Sequence, residues 1–231
     1  SGLTGVTLDW DDIKVEIYRV TNDDDTSTVY ILSTSDITCS SDMSNSFRNL
    51  TALKEIVFNN FNITNKTTNL SYMFYGCSAL ENVDVTKFDS SSVRDMQYMF
   101  DGCSALTNLN IDNFVTDNVV YMNSMFAGCS GIEELNVSNF NTEKVINMGA
   151  MFADCENLAN LDVSHFNTSN TTALLSMFQE CNSLTSLDLS NWNTSNVTHM
   201  GNIFENCSSL QTLDINFDTS NVSTIYYMFS G

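Results

Sequence analysis

Apolar positions along this 231-residue chain fall on a fixed beat. Met73-Phe74, Met99-Phe100, Met125-Phe126, Met151-Phe152 and Met177-Phe178 recur every 26 residues, and Ile203-Phe204 continues the series. Cys77, Cys103, Cys129, Cys155, Cys181 and Cys207 keep the same spacing, with Cys39 outside it. Met228-Phe229 arrives one residue early, because the last unit is one short between Ile215 and Phe217. Within the unit Met177 to Met200, Leu187 and Leu189 alternate with Asp188 and Ser190, the period of a half-buried strand. Val197, Met200, Ile203, Phe204, Cys207 and Leu210 step by three and four, the spacing of a helix face, and Ser195 and Asn196 stand where they would cap it. Each unit therefore predicts a short strand, a turn and a helix of two to three turns.

A single unit cannot bury its own apolar stripe, so neighbours must stack. With Leu184, Leu187 and Leu189 as an L-x-x-L-x-L core, the predicted fold class is α/β. It is a leucine-rich-repeat solenoid, curved, with a parallel sheet on the concave side and short helices on the convex side. Residues 1–45 are expected to form an N-terminal β-hairpin cap over the open end of the first repeat. There Ile13, Val15 and Ile17 alternate, as do Val29 and Ile31, around the acidic turn Asn22–Asp25, and Trp10 is placed to help. Residues 46–231 form the array of about seven units. Its first unit is off-pattern, with Ser46-Phe47 in the Met-Phe place and Leu50 in the Cys place. At the other end the pattern stops short of its next Cys, so the array is expected to continue beyond Gly231.

Charge narrows the partners. Eight Lys and Arg face 28 Asp and Glu, a net charge of -20, and no Lys or Arg follows Lys144. Such a chain is repelled by phosphate, which excludes nucleic acid and anionic membranes. A hydrophobic content of 42% requires a real core, and the absence of proline excludes Pro-rich linkers. No run of 18 apolar residues exists, so direct membrane insertion of this segment is not expected.

Among the recurring columns, the cysteines read as buried free thiols: on neighbouring helices they would lie about 8–10 Å apart, beyond disulfide reach. Met-Phe and the column Phe88, Phe114, Phe140, Phe166, Trp192 read as core. The informative exposed column runs Asp84, Asn110, Asn136, Asp162, Asp188, Asp214, with Asp112 and Glu134 in the polar columns beside it. Stacked carboxylates repel, so this face carries two open readings. One is an acidic trough for a basic segment, a glycan or Ca²⁺; the other is the solubilising consensus of the repeat. Tyr72, Tyr75, Tyr98 and Tyr121 form a second candidate surface, suited to protein recognition. His165 and His199 stand in non-equivalent positions without a nucleophile beside them, and no phosphate loop or metal motif is present. The reading is therefore no catalytic residue, no cofactor and no metal.

The string Leu187 to Met200 (LDLSNWNTSNVTHM), and likewise Met73 to Leu80 (MFYGCSAL), resembles the BspA-like leucine-rich-repeat family of bacterial surface proteins and lipoproteins. The likeness covers residues 36 to 231, and the first unit, with Leu50 for Cys, is similar to that family's N-terminal edge. What the resemblance implies is an extracellular, cell-surface segment. It would act as a non-enzymatic adhesion or protein-binding module toward a host or neighbouring-cell surface protein. The alternative is a structural spacer that projects other domains without a ligand of its own. The segment is expected to be monomeric, with end-to-end pairing at the Met228-Phe229 end as the exception.

Overall fold

A computed structural model describes residues 3–10, 13–33 and 37–231, with side chains described for 19–32 and 38–231. Its regular elements are all strands. They are β1 Leu3–Trp10, β2 Ile13–Thr21, β3 Ser27–Ser33, β4 Ile37–Thr38, β5 Leu53–Phe58, β6 Phe61–Asn62, β7 Asn82–Val83, β8 Ser186–Leu189 and β9 Thr212–Ile215. The N-terminal strands pair antiparallel, β1 on β2 and β2 on β3, the second pair turning through Asn22–Asp25. Parallel pairing then joins β3 to β5 and β5 to β7, so the N-terminal strands continue directly into the first repeats. Lys54 ties the turn to the repeats, its Nζ 3.4 Å from Asp24 and 3.1 Å from Glu81. The side chains of Trp10, Ile13, Val15 and Ile17, assigned above to the cap, lie outside the described residues.

From Asp42 onward the chain winds as a stack of rungs one repeat apart, and here the predicted architecture needs correction. No helix is present among the described residues, so the strand–turn–helix unit and the α/β solenoid with a helical outer side do not hold. The segment with helical spacing is a series of single turns. Met73 N–H bonds Leu70 O, Tyr75 N–H bonds Tyr72 O and Cys77 N–H bonds Phe74 O, each three residues back. The residues between them donate to the next rung instead: Leu70 to Asp95 O, Tyr72 to Gln97 O, Phe74 to Met99 O and Gly76 to Asp101 O. The pattern repeats at every later interface, ending with Asn206 to Ser230 O.

Left-handed residues enforce this alternation. Tyr72 and Gly76 have φ of 58° and 70°, and the same two places are left-handed at Ser124 and Gly128 (54° and 66°) and at Ser176 and Glu180 (58° and 59°). A residue in that conformation cannot propagate a right-handed helix, so none exceeds one turn. Gly102 and Gly128 stack closely as well, since a Cβ on Gly128 would stand 3.3 Å from Gly102 Cα.

The core is what these turns enclose. Phe47, Phe74, Phe100, Phe126, Phe152, Phe178, Phe204 and Phe229 form a continuous pile, neighbouring ring centroids 5.4–6.0 Å apart and planes within 13° of parallel. Met73, Cys77 and Leu80 surround it at 0% exposure, and their equivalents are buried as far as Leu184, with Cys207, Leu210 and Met228 partly buried at the last rungs. A buried hydroxyl ladder runs alongside: Thr116, Thr142, Thr168 and Thr194 each donate Oγ1 at 3.0 Å to a carbonyl of the next rung. The expected continuous sheet is also interrupted. Between β7 and β8 the segments 108–112, 134–138 and 160–164 form no strand, and a single isolated bridge, Glu134 to Asn160, joins the last two.

Because the Phe126 ring packs on both neighbours, Phe126→Ala, at 0% exposure, should cost about 3–5 kcal/mol. Phe229→Ala, at a ring 60% exposed, should cost well under half of that. Urea denaturation followed by tyrosine and tryptophan fluorescence measures both; equal midpoints for the two variants would contradict a cost set by burial within the pile.

Candidate functional site

The strand-side column is exposed throughout but does not form one site. Asn110, Asp112, Glu134, Asn136 and Asp162 come together around an open depression of ≈ 610 Å³, at the place where the sheet is interrupted. Leu109, Leu135 and Leu161 form its floor, and no Lys or Arg lines it. Asp84 sits apart, in a hollow of ≈ 150 Å³ with Phe58, Phe61 and Lys87. Asp188 and Asp214 lie side by side in the β8–β9 register, outside the depression.

What the column does for the backbone explains most of its composition. Asp84, Asn110, Asn136, Asp162 and Asp188 each accept, through Oδ1, the N–H two residues ahead, at 2.9–3.1 Å. These are Asx turns, for which Asp and Asn are the suited residues. Thr86, Ser164 and Ser190 add hydroxyl bonds to the same oxygens at 2.5–2.7 Å. Those hydroxyl and backbone bonds hold the Asp84, Asp162 and Asp188 carboxyls below their ordinary value. Rungs are also tied across the depression, where Asn136 Nδ2 donates to Asp112 Oδ1 at 2.7 Å. Glu134 makes no such bond. Sequence reasoning missed this use of the column, although Asp or Asn followed two residues later by Ser or Thr was its visible sign.

On the turn side, Tyr72, Tyr75 and Tyr98 do come together. Tyr72 and Tyr98 stack at 4.6 Å and 10°, and Tyr75 meets them at 5.6 and 6.3 Å. The Arg48 guanidinium lies 5.0 Å from the Tyr72 ring and 4.9 Å from the Tyr75 ring, a cation–π pair of contacts. Burial, then the neighbouring Tyr98, raises the Tyr72 hydroxyl above its usual range. Tyr121 makes no ring contact with this group; it is 40% exposed in a different column, bridged to Asp95 and Asn147.

The remaining chemistry is inward. All seven cysteines are free, and each member of the repeating column donates Sγ–H to the Phe carbonyl of the preceding rung at 3.0–3.2 Å. Burial pushes Cys155 to about 12 and Cys77 and Cys207 to about 11, values at which a thiol is a poor nucleophile. His165 Nε2 sits 3.1 Å from Val137 O, doing the work that Asn139 Nδ2 does toward Ile111 O one rung earlier. His199 Nδ1 bonds Thr198 Oγ1 at 2.8 Å. Asp101 is the outlier among the carboxyls: burial, then repulsion from Asp154, pushes it up to about 6. Its neutral form favours the fold, a contribution present below 3.8 and lost as pH rises through about 6. Among the described residues no group of three or more His, Cys, Asp or Glu is placed to hold a metal ion.

Rungs, polar columns and inward thiols define a stacked-repeat protein whose chemistry is spent on holding its own backbone. The chain belongs to the family described as Mycoplasma protein of unknown function, DUF285, whose model matches residues 41–134 and again 122–231. Comparison with curated proteins and with solved structures finds no match.

Asp162→Ala removes two hydrogen bonds from an exposed turn, and Asp162→Asn keeps the Oδ1 acceptor. At neutral pH the alanine variant should melt about 2–4 °C lower, the equivalent of roughly 1 kcal/mol, with the asparagine variant, which keeps the acceptor without the charge, in between. The contribution of Asp162 is present above 3.8 and is lost as pH falls through its depressed folded value, so the gap should close in acid. Scanning calorimetry between neutral pH and pH of about 2 checks this; a gap that widens in acid would contradict it.

Proposed function

We propose that the chain is a non-enzymatic binding module of a bacterial cell surface, and that the depression around Glu134 takes a basic segment of a partner protein. One observation carries the reading: Asp112, Glu134 and Asp162 rim a hollow of ≈ 610 Å³ that no basic residue of the chain neutralises. The hollow opens where the rungs lose their sheet bonds, so a partner meets polar side chains and backbone without displacing packed structure. The stacked frame is formed beforehand, so binding avoids a large ordering cost. A cation-bearing peptide gains from the field of a chain at -20, chiefly in association rate. The surface location rests on the resemblance of Leu187 to Met200 and Met73 to Leu80 to BspA-like repeats. Among the described residues no helix is long and apolar enough to cross a membrane.

A second reading, a spacer without a ligand, is favoured by the Asx turns, which give the column a structural use independent of any partner.

Titration of fluorescein-labelled octalysine at low salt separates the two. Glu134→Gln and Asp112→Asn should each weaken binding about two- to fivefold, as expected for exposed ion pairs of roughly 0.5–1 kcal/mol, and the loss should shrink at higher salt. Glu143→Gln, outside the depression, should leave binding unchanged. An equal loss at Glu143 would show attraction to net charge alone, and no binding at all would favour the spacer.

A further inference from the structure

The column that begins with the tyrosines changes character after two rungs. Tyr72 and Tyr98 stack, and the next residues, Ser124, Ala150 and Ser176, keep the same left-handed backbone, φ 54°, 54° and 58° against 58° and 57°. Their side chains are too short to continue the ring stack. The face of Tyr98 turned away from Tyr72 is left without a ring, and beside it lies a trough of ≈ 260 Å³. Tyr98 closes one end and His199 the other, with Asn123, Ser124, Asn147 and Ser176 along it.

One residue of the lining carries a buried unpaired acceptor, as Asn113 and Asn139 also do outside the trough. Asn123 is only 9% exposed, and its Oδ1 has no hydrogen-bond partner, while Nδ2 reaches Gln97 Oε1 at 3.4 Å. Leaving such an acceptor buried and unpaired costs about 1–3 kcal/mol. The repeat does not demand it, since the same position holds Gln97, Gly149, Leu175 and Gly201 in other rungs. Asn147 uses Oδ1 for the Gly149 N–H at 2.9 Å and keeps its amide hydrogens unengaged among the described residues. The hydroxyls of Ser124 and Ser176 likewise make no bond among the described residues, and each both donates and accepts.

We propose that the trough is a subsite for a neutral hexose ring of a surface glycan. Three features select that chemistry. An aromatic face beside the trough offers packing for the C–H face of a pyranose. Amide and hydroxyl groups along the trough offer both acceptors and donors, as sugar hydroxyls require. No Lys, Arg, Asp or Glu lines it, which disfavours acidic sugars and charged peptides alike. The volume lies just below the roughly 300–1,000 Å³ of drug-sized pockets, the scale of a small ring. A peptide would instead need an aromatic or apolar anchor pocket or an open strand edge.

Affinity electrophoresis in gels containing β-glucan, galactan, mannan or hyaluronan tests the site. Ser124→Tyr covers the Tyr98 face and is compatible with the fold, because tyrosine already occupies this backbone at Tyr72 and Tyr98. The parent should be retarded by at least one neutral polymer, with retardation falling about tenfold in Ser124→Tyr and in Tyr98→Ala, and thermal melting should show both variants folded. Octalysine binding should be unchanged in Ser124→Tyr, so this site and the acidic depression fail or succeed separately. No retardation by any neutral polymer, retardation by hyaluronan alone, or full retardation of Ser124→Tyr would overturn the proposal.

Discussion

Everything in this molecule depends on where the backbone N–H groups of the Met-Phe segment point. In each rung alternate residues donate forward to the carbonyls of the next rung, and those between donate three residues back within their own turn. Most donors of the segment are thereby used without a helix, and the Phe rings are brought into register at 5.4–6.0 Å. Hydrogen bonding and ring stacking support one another: lengthening the rung distance would break at least four backbone bonds per interface and open the pile at the same place.

That constraint decides which side chains remain available to a partner. Cysteine thiols, threonine hydroxyls and the Asp and Asn carbonyl oxygens are consumed in fastening rungs to one another or in closing turns. Groups without such employment line two of the hollows. Glu134 stands over the depression where the sheet is interrupted, and Asn123 with Ser124 and Ser176 lines the trough beside Tyr98. A repeat protein of this kind acquires function where a column departs from its structural consensus, because the consensus itself is already occupied.

Much of this was legible in the sequence, and the rest was hidden for identifiable reasons. The repeat length and the inward columns follow from the spacing of Met73-Phe74, Cys77 and Leu80, which any stack must bury. The helix did not follow, because a spacing of three and four fits a helix face and a chain of single turns equally well. What distinguishes them is left-handed backbone at Tyr72, Tyr98, Ser124, Ala150 and Ser176, and none of these residue types announces it. The acidic column was visible as a column, but its Asx turns make it look like a ligand site when read by charge alone. Whether Glu134 and Asp162 share a hollow depends on the sheet failing between β7 and β8, which no local pattern encodes. The trough was beyond reach for a similar cause: Ser124 and Ala150 become informative only once Tyr98 is known to stack in the same column.

The most direct test of the account is the detection of scalar couplings across individual hydrogen bonds by NMR on labelled protein. The Phe100 amide nitrogen should couple to the Met125 carbonyl carbon, and the Phe126 nitrogen to that of Met151, 25 residues ahead in each case. Couplings instead to Met96 and Met122, four residues back, would show helices in place of turns and contradict the stack of rungs described above.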